Sequence, residues 1–459
     1  MDYDYIISNL KENINKLKSY ENIDNSSALI NKFILDLAYS HHYEVSEING
    51  AYYIKKGVAP KVILHLNVDS KFDYNGIDLI EENESKIISG QNINLFDSIL
   101  LIASLLENST NDFDVLITRN NIQSGNIDYS NLKSIIRSDN VINLNLLQAK
   151  CLADEFSSLI LSNIRVPIER FNPDFDYNVF RLSLDNLIGG HTGEDLDKLR
   201  LNSIKTIMSI IRKFKSKIDM DICKIKGGDR YDFIPSNAYV DFIVKDEYEN
   251  ELYDTFNLYK NEYIEKNLKY EPDMNISLDK LENYDDNLPI TDTSYNHIAS
   301  LVELIPTGAF SVNSNNKQLI SSLNLSTVRS FPDFVNFIIV YRSLTDENMD
   351  QMLERTQVAA DISKSVISNV LKIPHWKNKD SYLTNKFSES YNNITGDSLN
   401  TIKTQYSLDS SIIFSNLDVN IVSLGVEYKK KDDNIYFTNL NDIYNVIKVI
   451  DDLLSHLYE

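Results

Sequence analysis

Apolar residues recur at three- and four-residue spacing over 4–20 (DYIISNLKENINKLKSY) and 26–42 (SSALINKFILDLAYSHH), which predicts two amphipathic helices. An alternating stretch, YEVSEINGAYYIKKG, brackets Asn49-Gly50, the pair favoured where both central turn residues need positive φ, so 43–57 is expected to be a hairpin. The continuous apolar runs KVILHLNVD (61–69), FDVLITRN (113–120) and VINLN (141–145) have the length of buried strands. NLFDSILLIASLLEN (94–108) lies among them with the length and spacing of a core helix. Strands alternating with helices point to an α/β region with a mainly parallel sheet covered on both faces.

From residue 178 the rhythm becomes strand, long helix, strand. It recurs in AYVDFIVKDEYENELYDTFNLYKNEYIEKN (238–267) and FVNFIIVYRSLTDENMDQMLERTQVAADISKSV (334–366), suggesting a second region of split βαβ character. NISLDKLENYDDNLPITDTS (275–294) has no apolar period and is expected to be a surface excursion. A strand, VNIVSLGVEY, a turn around YKKKDDN and a helix, LNDIYNVIKVIDDLLSHL, close the chain.

Charge narrows the functional classes. Forty-five Lys and Arg face 67 Asp and Glu, a formal charge of −22, which repels nucleic-acid phosphates and anionic lipid alike. Neither a nucleic-acid nor a membrane partner is expected. Two cysteines, Cys151 and Cys223, are too few for a disulfide framework. No basic segment followed by an apolar core opens the chain, and no apolar run approaches the roughly 20 residues of a membrane span. A cytoplasmic protein is expected.

The most chemically suggestive run is GGHTGED (189–195). Its glycines admit close backbone approach. Thr192 and Asp195 have the spacing of an acidic capping box for a helix beginning near 195. His191 is one of seven histidines, and either contacts a substrate or serves a tight loop.

Together these landmarks resemble the aminoacyl-histidine dipeptidases, carnosinase-like di-zinc metallopeptidases. GGHTGED is similar to the family's Gly-Gly-His-Ser-Gly-x-Asp, and KGGDRYDFIP to Gly-Gly-Asn-x-Arg-Asn-Ala-Ile-Pro. IPTGAFSVN with SSLNLSTV, YRSLTDENMDQ and IPHWKNKDS follow in the family's order. The resemblance implies an α/β fold with a zinc-peptidase-type mixed sheet sandwiched by helices and an inserted α+β lid. Catalytic-type parts would span 1–179 and 385–459, with the lid at 180–384.

It also implies where a metal centre would lie. In HLNVDSK, Asp69 matches the aspartate of His-x-Asp, but Asn67 holds the histidine position. His65, on the same strand face, would sit about 6 to 7 Å further back. Asp97 corresponds to the bridging aspartate, and Asn145 stands where another carboxylate ligand is expected. The glutamate pair falls in RNNIQSGN around Asn121, and no Asp or Glu occurs between Asp114 and Asp128. An amide is not basic enough to take a proton from water. The last histidine position falls in SLGVEYKKKDD, where Lys429, Lys430 and Lys431 oppose a dication, and Gln405 replaces a further histidine. On the substrate side, Asp232 replaces an asparagine and would repel a substrate carboxylate, while Arg342 is a possible anion partner.

The expectation is therefore a catalytically inactive homologue acting as a binding, scaffold or structural protein, with no cofactor and with a protein partner or a homodimeric state. The alternative is an active dipeptidase with a displaced or single-metal zinc site using His65, Asp69 and Asp97.

Overall fold

The computed structural model describes every residue except 1, 19–25, 69–77, 83–84, 91–92, 120–133, 147–149, 194, 283, 285–286, 408, 416, 427, 433–434 and 459. It divides into two compact units, one of Met1–Phe156, Trp376–Thr404 and Leu408–Glu459, the other of Ser157–His375 with Gln405–Ser407. Ser158–Pro167 precedes the boundary expected at 180 yet lies in the second unit, because both its edges are hydrogen-bonded to strands of that unit, Phe334–Ser343 and Val366–Ile373. Likewise Trp376–Lys377 pairs with Cys151–Phe156, so the return to the first unit comes before residue 384.

The first unit is α/β. Its nine-stranded sheet runs Glu44–Ile48, Ala51–Lys56, Phe113–Arg119, Ile63–Val68, Asn140–Asn143, Asn420–Leu424, Cys151–Phe156, Trp376–Lys377, with Asn400–Thr404 also on Cys151–Phe156. The central pairs, from Phe113–Arg119 through Asn420–Leu424, are parallel, as continuous apolar runs require when both faces are covered. Asn49 and Gly50 take φ of 50° and 82° and join the first two strands as an antiparallel hairpin. Helices Tyr3–Lys18, Ile93–Asn108 and Leu440–His456 bury Leu10, Phe96, Leu100 and Ile447 in one apolar core with the sheet. The lysine segment expected as a turn is a strand, Tyr428–Asp432, paired with Ile435–Asn439.

The second unit is built on an antiparallel sheet in the order Asn275–Leu281, Tyr177–Asp185, Ala238–Lys245, Met220–Gly227, Leu319–Ser330, Phe334–Ser343, Ser158–Pro167, Val366–Ile373, with Gly308–Val312 on Leu319–Ser330. Helix Ser203–Lys215 packs on it through Ile204, Ile207, Ile211 and Phe214. Two expectations fail here. Residues 275–281 are no surface excursion but an edge strand on Tyr177–Asp185, whose apolar alternation is short, carried by Ile276 and Leu278 within a long polar stretch. The helix after GGHTGED starts at Ser203, with the Asn202 side chain accepting from the Ile204 and Lys205 amides, so Thr192 and Asp195 do not cap it. Among the described residues no helix is long and apolar enough to cross a membrane.

Phe214 is fully buried in the core of the second unit. Phe214→Ala is expected to cost about 3–5 kcal/mol, read as a lower urea midpoint by circular dichroism.

Candidate functional site

In the first unit the chemistry-bearing side chains gather where the central parallel strands end. Backbone pairing between Ile63–Val68 and Asn140–Asn143 stops at His65 and Asn143, followed by one further bond from the Leu144 amide to the His65 carbonyl (3.0 Å). Beyond that point Asn145 continues the ladder with its side chain. Its Oδ1 accepts from the Asn67 amide (2.8 Å) and its Nδ2 donates to the Asn67 carbonyl (2.8 Å). A carboxamide carries a donor and an acceptor side by side, as a peptide unit does; a carboxylate only accepts. Asn145 is thus chemically suited to closing two strands.

The clasp continues sideways. Asn143 Oδ1 accepts from the Asn145 amide (3.0 Å) and the Ser423 hydroxyl (2.7 Å), while Asn143 Nδ2 lies 3.2 Å from His65 Nδ1. His65 is fully buried, with Nδ1 2.7 Å from the Ser410 hydroxyl and Nε2 3.0 Å from the Thr118 hydroxyl. Burial pushes its pKa down to about 3, so it is a neutral ring using both nitrogens. Asp97, in helix Ile93–Asn108, is fully buried beside the Thr438 hydroxyl and near Asp442. Burial, then the Asp442 charge, hold its carboxyl well above the usual carboxylate range, which favours a neutral acid.

A dinuclear zinc centre wants several ionised carboxylates and free imidazole nitrogens. The described residues do not fit it: Asn145 is committed to the Asn67 backbone, His65 to two hydroxyls, and Asp97 lacks a cationic neighbour that would ionise it. Among the described residues no group of three or more His, Cys, Asp or Glu could hold a metal ion. Asp69 and Asn121 lie outside the described residues, as does the side chain of Lys431.

The second unit holds a separate cluster around GGHTGED. Gly190 and His191 pair antiparallel with Phe233 and Ile234, bringing the GGHTGED and KGGDRYDFIP motifs together. Gly190 has φ 134°, and an added Cβ would collide with Arg200 and Asp195. Asp195 folds back to accept from the His191 amide (2.8 Å) and pairs with Lys198 and Arg200, so it ties the loop rather than a helix. Asn324, from SSLNLSTV, donates to the Phe233 carbonyl (2.9 Å) and accepts from Asn202 (3.1 Å).

His191 Nδ1 accepts from the Gly193 amide (3.1 Å), which places the ring proton on Nε2. The ring stacks on Tyr406, with centroids 4.9 Å apart, and meets Phe233 edge-on. Burial first, then the Arg342 charge, push its pKa down to about 3. Arg342, 4% exposed, donates to the Thr192 hydroxyl (3.2 Å), the Gln405 carbonyl (3.0 Å) and the Ser407 hydroxyl (3.3 Å). All are neutral acceptors. Asp232, expected to repel a carboxylate, is held in a two-bond pair by Arg230 (2.9 and 2.6 Å). Burial raises its pKa, but Arg230 overrides that and the net shift is downward, so its charge is already matched.

The sequence missed Glu271, 1% exposed, which accepts from the Ile188 amide (2.7 Å) and the Leu201 amide (2.9 Å) and so anchors both ends of the glycine loop. It also missed Tyr406. Neither carries a local signal, since their partners are distant in sequence.

No family model matches the chain, and no curated protein matches it significantly. Its structure is similar to the aminoacylhistidine dipeptidase from Vibrio alginolyticus, with a TM-score of 0.67 at 18% identity, covering 97% of this chain and 96% of that one. It is also similar to human carnosine dipeptidase 1, with a TM-score of 0.51 at 12% identity over 99% and 98% of the two chains. An M20 family metallo-carboxypeptidase from Sulfolobus solfataricus gives 0.50 at 12% identity over 100% and 99%. The mixed α/β fold is that of M20 peptidase structures.

Two outcomes follow. Asn145→Asp removes the donor to the Asn67 carbonyl and sets a carboxylate against it, so it is expected to cost about 1–3 kcal/mol in chemical denaturation, as is Asn145→Ala. Both histidines have folded pKa values below their unfolded ones, so the unfolded chain binds more protons between about pH 6.5 and 3. Their contribution is complete above pH 6.5 and is lost as pH falls towards 3; in NMR titrations from pH 8 to 5 neither ring should shift.

Proposed function

We propose that this chain, carrying the fold of the M20 peptidases, is a catalytically silent member of that fold that works by binding, and that its ligand is a peptide carboxylate. The observation that carries the reading is the Asn145 clasp: the position that would supply a metal-binding carboxylate supplies instead a side chain whose two polar atoms close the Asn67 backbone. The absence of any Asp or Glu between Asp114 and Asp128 supports it, because that segment would furnish the general base.

Recognition is assigned to the second unit. Arg342 is a buried guanidinium bonded to neutral acceptors, and its Nη2 makes no hydrogen bond among the described residues. A carboxylate there would gain a charge-assisted bond in a desolvated setting, and His191 Nε2–H would be a second donor. Asp232 is paired with Arg230, which offsets part of the repulsion that its charge would impose on a carboxylate.

Metal analysis of the purified full chain should find zinc well below one equivalent, and an Xaa-His dipeptide should not be hydrolysed with or without added zinc. Stoichiometric, tightly held zinc together with turnover would sink the proposal. In calorimetry the dipeptide should bind, and Arg342→Gln should weaken it about tenfold or more, the scale of one lost charged hydrogen bond.

A further inference from the structure

The second unit contains a cavity that the proposed function does not use. It measures about 330 Å³, at the small end of ligand pockets, and lies between helices Ser203–Lys215 and Asp292–Leu304. Met208 and Val302, both buried in the core of the unit, line it together with the exposed Leu304, so a body seated there meets apolar side chains. Its polar lining includes Lys205, Arg212, Ser300 and Glu303.

The charges on the first of these helices are one-sided. In a chain of formal charge −22 it carries Lys205, Arg212, Lys213 and Lys215 and no Asp or Glu. Three of the four have carboxylate partners: Arg212 meets Glu303 (3.3 Å), Lys213 meets Glu262 (3.0 Å) and Lys215 meets Asp292 (3.0 Å). Lys205 has none within ion-pair distance among the described residues. There its ammonium donates only to the backbone carbonyls of Ile305 and Glu303, the second at 3.4 Å, which leaves one of its three N–H groups unused. The Glu303 carboxylate acts on it from further away and is already paired with Arg212, while burial pulls the Lys205 pKa below the usual lysine value. Ser300, on the facing helix, makes no side-chain hydrogen bond among the described residues and offers a hydroxyl donor.

A cation would meet an ammonium that has no counter-charge. A neutral molecule would leave that ammonium as it is, and a bare inorganic anion would leave the apolar lining in water. A monoanion with a short apolar body satisfies both. We infer that this cavity binds a small amphipathic carboxylate, its anion at Lys205 and its body against Met208 and Val302.

The test titrates the full chain with 3-phenylpropionate, 3-phenylpropylamine, 3-phenylpropanol and inorganic phosphate. It follows the NMR methyl resonance of Met208, one of six methionines, in protein labelled at the methionine methyls. The carboxylate should move that resonance saturably, with the other three compounds weaker by about tenfold or more. Lys205→Met should weaken the carboxylate about tenfold or more, Lys205→Arg should retain it, and Ser300→Trp should abolish binding by filling the cavity. No saturable shift in the wild-type chain, equal binding of amine and carboxylate, phosphate binding as tightly as the carboxylate, or unchanged affinity in Lys205→Met would overturn the inference. Should Lys205→Met fail to fold for want of its bonds to Glu303 and Ile305, Ser300→Trp decides: unchanged carboxylate affinity refutes it. None of these residues belongs to the Arg342 cluster, and the Met208 methyl reports this cavity, so the outcome is independent of the peptide-binding proposal.

Discussion

Asn145 gripping the backbone of Asn67 is the contact on which the character of the first unit depends. Parallel strands splay once backbone pairing ends, and the peptide groups at that opening need either partners or water. A side-chain amide supplies both halves of a missing peptide bond pair. From it the neutral network runs through Asn143 to His65, Ser410, Thr118 and Ser423, joining neighbouring strands and the short helix Asp409–Ile413. Every polar group named in this chain is neutral, which is how so many can be buried together without paired charges.

The second unit solves a different problem, that of holding charge in a desolvated loop cluster. Glu271 and Asp195 accept backbone amides and fix the glycine loop, and Arg230 answers Asp232. Arg342 donates to two hydroxyls and a carbonyl, and the carboxylate that acts on it, Asp232, does so without a hydrogen bond and is itself paired with Arg230.

Much of the fold was legible in the chain. The hairpin at Asn49-Gly50, the buried strands Ile63–Val68 and Phe113–Arg119 and the core helix Ile93–Asn108 are encoded by local period and turn chemistry. The Asn275–Leu281 strand was not, because its alternation is carried by Ile276 and Leu278 alone within a polar stretch, and its partner strand, Tyr177–Asp185, lies far away in the chain. The start of the helix at Ser203 was misread for a similar reason: Thr192 and Asp195 have capping spacing, but their partners are Arg342 and the loop itself.

By itself the sequence determined which groups stand at each motif: amides at 67, 121 and 145, an isolated carboxylate at 97, a histidine between glycines at 191. Residue type limits chemistry before any folding, since an amide cannot serve as a base and a carboxylate cannot donate. Only the tertiary structure decided what each group does, because hydrogen-bond partners and desolvation come from distant segments. Those contacts turned Asn145 into a strand clasp, His65 into a neutral ring held by two hydroxyls and Asp232 into a matched charge, and they brought Tyr406 onto His191.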